Sequence, residues 1–177
     1  MASILNGRYS SLPVPVSGVT NDAAGGIWIN PLLYCKRTML ELERESIVAI
    51  SLRKEGREQA VFKDETGSWI PVPPLTGKVK TDVLQDILTA VSSLEAKEIR
   101  CQGNENPVSY GLDDTSARLT FGLADSKGIR KTLLIGYRAG SDGVYATIQG
   151  MDVIFVLPIT LVGKLLRDII PEEEHGG

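Results

Sequence analysis

The chain has 177 residues, a formal net charge of −3, one histidine and two cysteines. That length suits one domain, with or without an added fragment, and can bury about 70% of the unfolded surface without a metal or disulfide. Acidic and basic residues are interspersed, which argues against the basic stripe of a nucleic-acid surface, and no run approaches the ~18 apolar residues of a membrane span.

Residues 1–45 read as an N-terminal extended or linker segment. They are rich in Ser, Gly, Pro and Asn at first, with Leu12-Pro13-Val14-Pro15-Val16 extended and Asp22 to Gly26 a turn. Ile27-Trp28-Ile29 is a short strand candidate closed by Pro31, and 32–40 a short helix or turn. The opening residues lack the charged and apolar regions of a signal peptide. The chain is therefore either cytoplasmic or cut from a longer secreted or anchored protein.

From Ser46 the pattern turns to β. Ile47, Ala49 and Ser51 alternate with Val48, Ile50 and Leu52, and Lys54-Glu55-Gly56-Arg57 makes a hairpin turn into a return strand over 59–63. Asp64 to Gly67 is another turn, and 68–72 a third strand. Pro71 and Pro73 have no N–H to donate, so that strand belongs at a sheet edge. An amphipathic helix is predicted over 81–97. Val83, Leu84, Ile87, Leu88, Val91 and Leu94 fall on one face, and Thr81 or Asp82 serves as N-cap.

A polar loop over 102–108 leads to Tyr110-Gly111-Leu112-Asp113. Strands follow over 117–123, 131–135, 144–148 and 152–157, with a glycine-rich connection over 136–143. A second amphipathic helix over 160–170 is capped by Thr160 and ended by Pro171, and 171–177 is a disordered acidic tail. Short strands joined by turns, with two one-sided helices, predict an α+β fold: an antiparallel meander sheet with both helices packed on it. The domain is expected to span 46–170. Ile27 to Leu32 echoes Ile154 to Ile159, which is either coincidence or the mark of a preceding, similar unit.

Chemistry-bearing patterns are few. The single histidine, His175, lies in the tail, where a catalytic base would have no fixed setting. Gly77-Lys78 suggests a phosphate loop, but Val79 replaces the required hydroxyl residue and Val72 the first glycine. Asp113, Asp114 and Asp142 lack calcium-loop spacing and read as turn residues. Glu95 and Glu98 read as solvated helix positions. Tyr110 is a ligand-stacking candidate or, more simply, a loop anchor, and Trp28 and Trp69 are packing residues before they are ligand platforms. Cys35 and Cys101 belong to no metal-ligating pattern and are expected not to be bonded. These patterns assign no catalytic, cofactor or metal residue, and the binding residues stay unassigned.

The order of motifs nevertheless carries a resemblance. Trp69 follows a hairpin and precedes a helix ending in Leu94-Glu95-Ala96. Then come Tyr110-Gly111-Leu112-Asp113, Thr132-Leu133-Leu134-Ile135-Gly136, Gly143-Val144-Tyr145-Ala146 and Val153-Ile154-Phe155-Val156-Leu157. Over roughly 45–170 the chain resembles the bacterial domain family of unknown function DUF4340. The resemblance implies an extracytoplasmic domain, often repeated, that follows an N-terminal membrane anchor and in some members sits beside ABC-type transport systems, including those linked to gliding motility. It supplies no catalytic residues. The 177 residues hold no such anchor, so attachment to a membrane is expected only through a preceding segment of a longer parent chain. The expected function is a non-enzymatic extracytoplasmic binding or accessory module with protein partners in an envelope or transport complex. The rivals are a small-ligand carrier, and a hydrolase using carboxylates such as Asp113 and Asp142.

Overall fold

The structure is a computed structural model that describes residues 37–102, 106–114, 116–124 and 128–171. Among the described residues, ten strands and two α-helices follow one another in the order β1(Thr38–Leu40), β2(Ile47–Lys54), β3(Arg57–Lys63), β4(Trp69–Pro71), α1(Thr81–Ser92), β5(Leu94–Glu95), β6(Glu98–Gln102), β7(Ala117–Leu123), β8(Arg130–Ala139), β9(Gly143–Ile148), β10(Val153–Pro158) and α2(Ile159–Leu165). Eight strands form one sheet in the spatial order β4-β3-β2-β7-β8-β9-β10-β6, and β1 pairs with β5 in a small second sheet. Every pairing is antiparallel. The fold is thus α+β: two meanders, β2 to β4 and β7 to β10, are joined side by side through β2 and β7. β4 lies at an edge, where its prolines predict it.

The helices cover one face of this sheet. Val83, Leu84, Ile87, Leu88 and Val91 of α1 are buried, and they share a core with Ile50, Leu52, Leu119, Phe121, Leu133, Phe155 and Leu157 from the strands. Each such side chain contributes about 1.5–3 kcal/mol through burial, so the α1 face is a main source of stability. Along β2 the alternation changes phase. A register irregularity between Ile47 and Ala49 against β7 turns Ile47, Ile50 and Leu52 inward together, where strict alternation would separate Ile47 from the other two. The hairpin turn is Glu55-Gly56, both at positive φ (51° and 76°), the geometry whose twist matches the strands it joins.

Several boundaries differ from the sequence expectation, each for a tertiary reason. α1 stops at Ser92, not 97. Ser92 and Thr89 hydroxyls donate back to the Thr89 and Gln85 carbonyls (2.8 and 2.7 Å), which weakens the helix end. The Val91 carbonyl then accepts from the Leu42 N–H at 3.2 Å, and Leu94-Glu95 pair with β1. Glu95 and Glu98 are therefore exposed strand residues, not helix residues. The N-cap of α1 is Lys80, with Thr81 the first helical residue; the Lys80 N–H is satisfied by the Ile169 carbonyl at 2.8 Å. Leu40 and Leu42 belong to the core, so the compact unit begins at residue 36 and takes in positions the sequence reading gave to the linker.

α2 is likewise shorter than expected, with Pro158 rather than Thr160 as its cap. Beyond Leu166 the chain bends because one side chain redirects it. Gln59 Oε1 accepts from the N–H groups of Ile169 and Ile170 (2.8 and 3.1 Å), and its Nε2 donates to the Ile170 carbonyl at 3.1 Å. Ile169 and Ile170 are still buried, as their apolar character demands, but from a bend rather than a helix. Expectations for 1–36, including Trp28, Cys35 and the first half of the echo, and for the tail with His175, lie outside the described residues, as does the side chain of Cys101.

Candidate functional site

β6 lies at one end of the sheet and β7 in its middle, so the connection between them must cross β10, β9 and β8 on the face away from the helices. Its described part opens with Asn106, whose side chain accepts from the Val108 N–H (3.1 Å) and caps a 3-10 turn over Pro107–Tyr110. Gly111 closes that turn at φ 71°, a conformation that suits a residue without Cβ. Leu112 (4% exposed) packs on Ile154 (5%), with Tyr110, Leu134 and Tyr145 around them. Tyr110 meets Tyr145 edge-to-face, with ring centroids 4.9 Å apart and planes at 73°. Tyr110 is thus the anchor of the crossover.

Where the crossover passes over β8, the strand carries a bulge. Ile135 pairs with Ala146, but Arg138 pairs with Val144, so β8 spends one more residue than β9 across that interval. Two glycines make the contact possible. A Cβ on Gly136 would run into the Tyr110 carbonyl oxygen and lie 3.0 Å from the Gly111 carbonyl group, and a Cβ on Gly111 would sit 2.6 Å from the Tyr137 ring. The bulge leaves Tyr137 63% exposed and, through its pairing with core-facing Val144, places Arg138 on the helix side.

Between this bulge, the β2–β3 turn and α2 lies an open groove of about 600 Å³. Its floor is apolar, with Ile135 and Val144 from the sheet and Val162 and Leu166 from the α2 segment. Its rim carries Lys54, Glu55, Asp113, Ser116, Tyr137 and Arg138. Lys54 is already engaged, donating to the Leu166 carbonyl at 2.8 Å and pairing with Asp168 at 3.0 Å. The Arg138 guanidinium and the Glu55 carboxylate have no such partner among the described residues.

The carboxylates singled out from the sequence are not brought together in this groove. Asp113 lines it, and its backbone carbonyl accepts from the Ser116 N–H and hydroxyl (3.2 and 2.7 Å). Asp142 is absent from the lining. It occupies the exposed turn after β8, ion-paired with Lys97, and the hydrogen bond and charge of that ammonium hold its carboxyl below the usual 3.8. Its backbone carbonyl accepts from the Ile159 N–H at 2.9 Å, so Asp142 ties the β8–β9 turn to the start of α2. Asp114 pairs with Arg118 at 3.6 Å. Trp69 packs half-buried on the main core with the Lys63 ammonium 5.2 Å from its ring centroid. Gly77-Lys78 lie between β4 and α1, where Ile170 Cγ2 would be 3.1 Å from a Cβ on Gly77. Among the described residues no cluster of three or more His, Cys, Asp or Glu side chains could hold a metal.

The groove residues Tyr137 and Arg138 escaped the sequence reading, which assigned 136–143 to a connection. The signal was present in Gly136, since a glycine inside a strand pattern marks a bulge or a close backbone approach. No protein-family model matches the chain, and neither do any curated protein or solved structure. No helix among the described residues is long and apolar enough to cross a membrane.

Proposed function

We propose that the chain is a non-enzymatic binding module that serves a bacterial envelope or ABC-type transport complex on the extracytoplasmic side and holds a protein partner along one edge of its sheet. The resemblance to DUF4340 domains supplies the setting. The observation that carries the mode of action is the inequality of the two edges. β4 is three residues long and ends in Pro71, a guarded edge of the kind that discourages strand addition. β6 is five residues long, Glu98–Gln102, contains no proline, and among the described residues pairs on one side only, with β10. It therefore presents a row of backbone donors and acceptors to an incoming strand.

The hydrolase rival needs convergent polar groups, whereas Asp113 lines the groove and Asp142 is committed to Lys97 outside it. The carrier rival needs walls on most sides of its ligand, and the groove is open. The test is recovery of the cross-linked complex from native membranes with single variants of the protein. Arg100→Pro should reduce recovery by tenfold or more, while Asp113→Asn, Asp142→Asn and Tyr110→Phe leave it within twofold. Sensitivity to the carboxylates with indifference to Arg100→Pro would overturn the reading.

A further inference from the structure

The groove at the β8 bulge has a floor, a ring and a charge arranged as a side-chain socket. Its floor is apolar and continuous with the main core. Gly163 of α2 borders it, and a Cβ there would meet nothing within 4 Å, so the helix offers a flat wall against which a chain can lie. Tyr137 stands 63% exposed at the opposite side, its ring held in place by Gly111 beneath it. Large exposed aromatics next to an arginine are the residue types that carry most binding energy in protein interfaces.

The rim is polarised. Arg138 follows the bulge on β8, and Glu55 follows β2, with β7 between them. At about 4.8 Å per strand these ends lie roughly 10 Å apart, the span of about three extended residues. Lys54 is neutralised by Asp168. Asp113 and Ser116 flank the β7 side, so Glu55 marks the anionic end of the rim and Arg138 the cationic end. An occupant carrying one carboxylate can satisfy that guanidinium at its own end; a second carboxylate near Glu55 would be repelled. Because the groove is open along its length, it cannot enclose a free small molecule, but it can receive a side chain presented by another surface.

We propose that this groove is a second partner site, which takes a short segment of a protein in which a bulky apolar residue lies next to a single Asp or Glu. The apolar side chain fills the floor between Val144 and Val162 with Tyr137 bordering its outer end, and the carboxylate pairs with Arg138. The proposal rests on the reading of the chain as a protein-binding module, but it does not involve β6. A failure here leaves the Arg100→Pro result standing, and the converse also holds.

The test uses the whole chain, labelled with nitrogen-15, titrated with acetyl-Asp-Leu-Phe-amide and its neutral isostere acetyl-Asn-Leu-Phe-amide to millimolar concentration. Saturable amide shifts are expected at Gly136, Arg138 and Gly163, with the Asp peptide binding at least fivefold more tightly. Arg138→Gln should bring the two peptides within twofold of each other, and Gly163→Leu should weaken both by a similar factor while a thermal melt shows the fold intact. No saturable shift at these amides, or a charge preference unchanged in Arg138→Gln, would overturn the proposal.

Discussion

Gly136→Ala isolates the contact that shapes the groove. Gly136 does not have a positive φ, so alanine is conformationally acceptable there and any cost is steric. The added Cβ would collide with the Tyr110 carbonyl oxygen and lie 3.0 Å from the Gly111 carbonyl group. Those are backbone atoms, which cannot rotate aside as a flexible side chain would. If the crossover shifts but stays docked, overpacking costs about 1–3 kcal/mol. If it lifts, the burial of Leu112 is lost, about 1.5–3 kcal/mol, together with about 0.5–1.5 kcal/mol from the Tyr110–Tyr145 pair. The expected destabilisation is therefore about 1–4 kcal/mol, read from urea unfolding at neutral pH. The Tyr145 ring resonances should move if the crossover lifts. Gly163→Ala is the matched control. It makes the same chemical change in α2, where a Cβ meets nothing within 4 Å, and should stabilise by up to about 1 kcal/mol through helix propensity. Equal signs for the two variants, or a Gly136→Ala effect under about 0.5 kcal/mol, the usual size for an uncommitted surface position, would refute the packing described here.

Four further outcomes are expected. Leu88→Ala, at a side chain only 4% exposed in the α1 face, should cost about 2–5 kcal/mol, and an unchanged denaturation midpoint would remove the helix register. Gln59→Ala should strip the Ile169 and Ile170 N–H groups of their acceptor, costing about 1–3 kcal/mol and speeding hydrogen exchange at those two amides. The hydrogen bond and charge of Lys97 hold the Asp142 carboxyl below its ordinary value of 3.8 in the folded chain, so its contribution is complete above that pH and fades as pH falls through the lowered value; the stability gap between the native chain and Asp142→Asn should shrink from pH 6 to pH 2.5. Thiol titration of the denatured protein should find both Cys35 and Cys101 unbonded, and a mass two hydrogens below the reduced value would show otherwise.

What the sequence made legible was what is local. Pro71 carries its own reason for lying at an edge, because a missing donor is a property of one residue. The α1 stripe from Val83 to Val91 is legible because 3.6-residue spacing forces those side chains to one side. The same rule overshot at Leu94, which continues the stripe and is fully buried yet sits in β5. The bond that ends the helix joins Val91 to Leu42, almost fifty residues earlier, and no periodicity encodes it. α2 ended early for the same kind of reason, through Gln59 on a distant strand. β6 was missed although Glu98-Ile99-Arg100-Cys101-Gln102 alternates polar and apolar residues, because a helix carried to 97 and a loop begun at 102 left too short a run between them; its strand conformation is held by pairing with β10.

The groove shows the deeper limit. Its parts were all visible: Gly111 in the loop, Gly136 after a strand, and an aromatic and an arginine beside it. What was not visible was that the chain leaves β6 at one end of the sheet and must return to its centre. That crossing presses Tyr110 and Gly111 onto β8, and only two facing glycines allow backbone to lie so close to backbone. The bulge there puts Arg138 in register with Val144 on the helix side, while Tyr137 rests on Gly111. A site of this kind is produced by topology acting on residues that are unremarkable in line, so its glycines carry its geometry and its neighbours carry its recognition. That division predicts separable effects. Changes at Gly136 should alter stability and peptide affinity together, whereas Arg138→Gln should alter charge preference alone, with no change in the unfolding midpoint beyond about 0.5 kcal/mol. A loss of stability in Arg138→Gln as large as that in Gly136→Ala would mean that the arginine holds the fold rather than a partner.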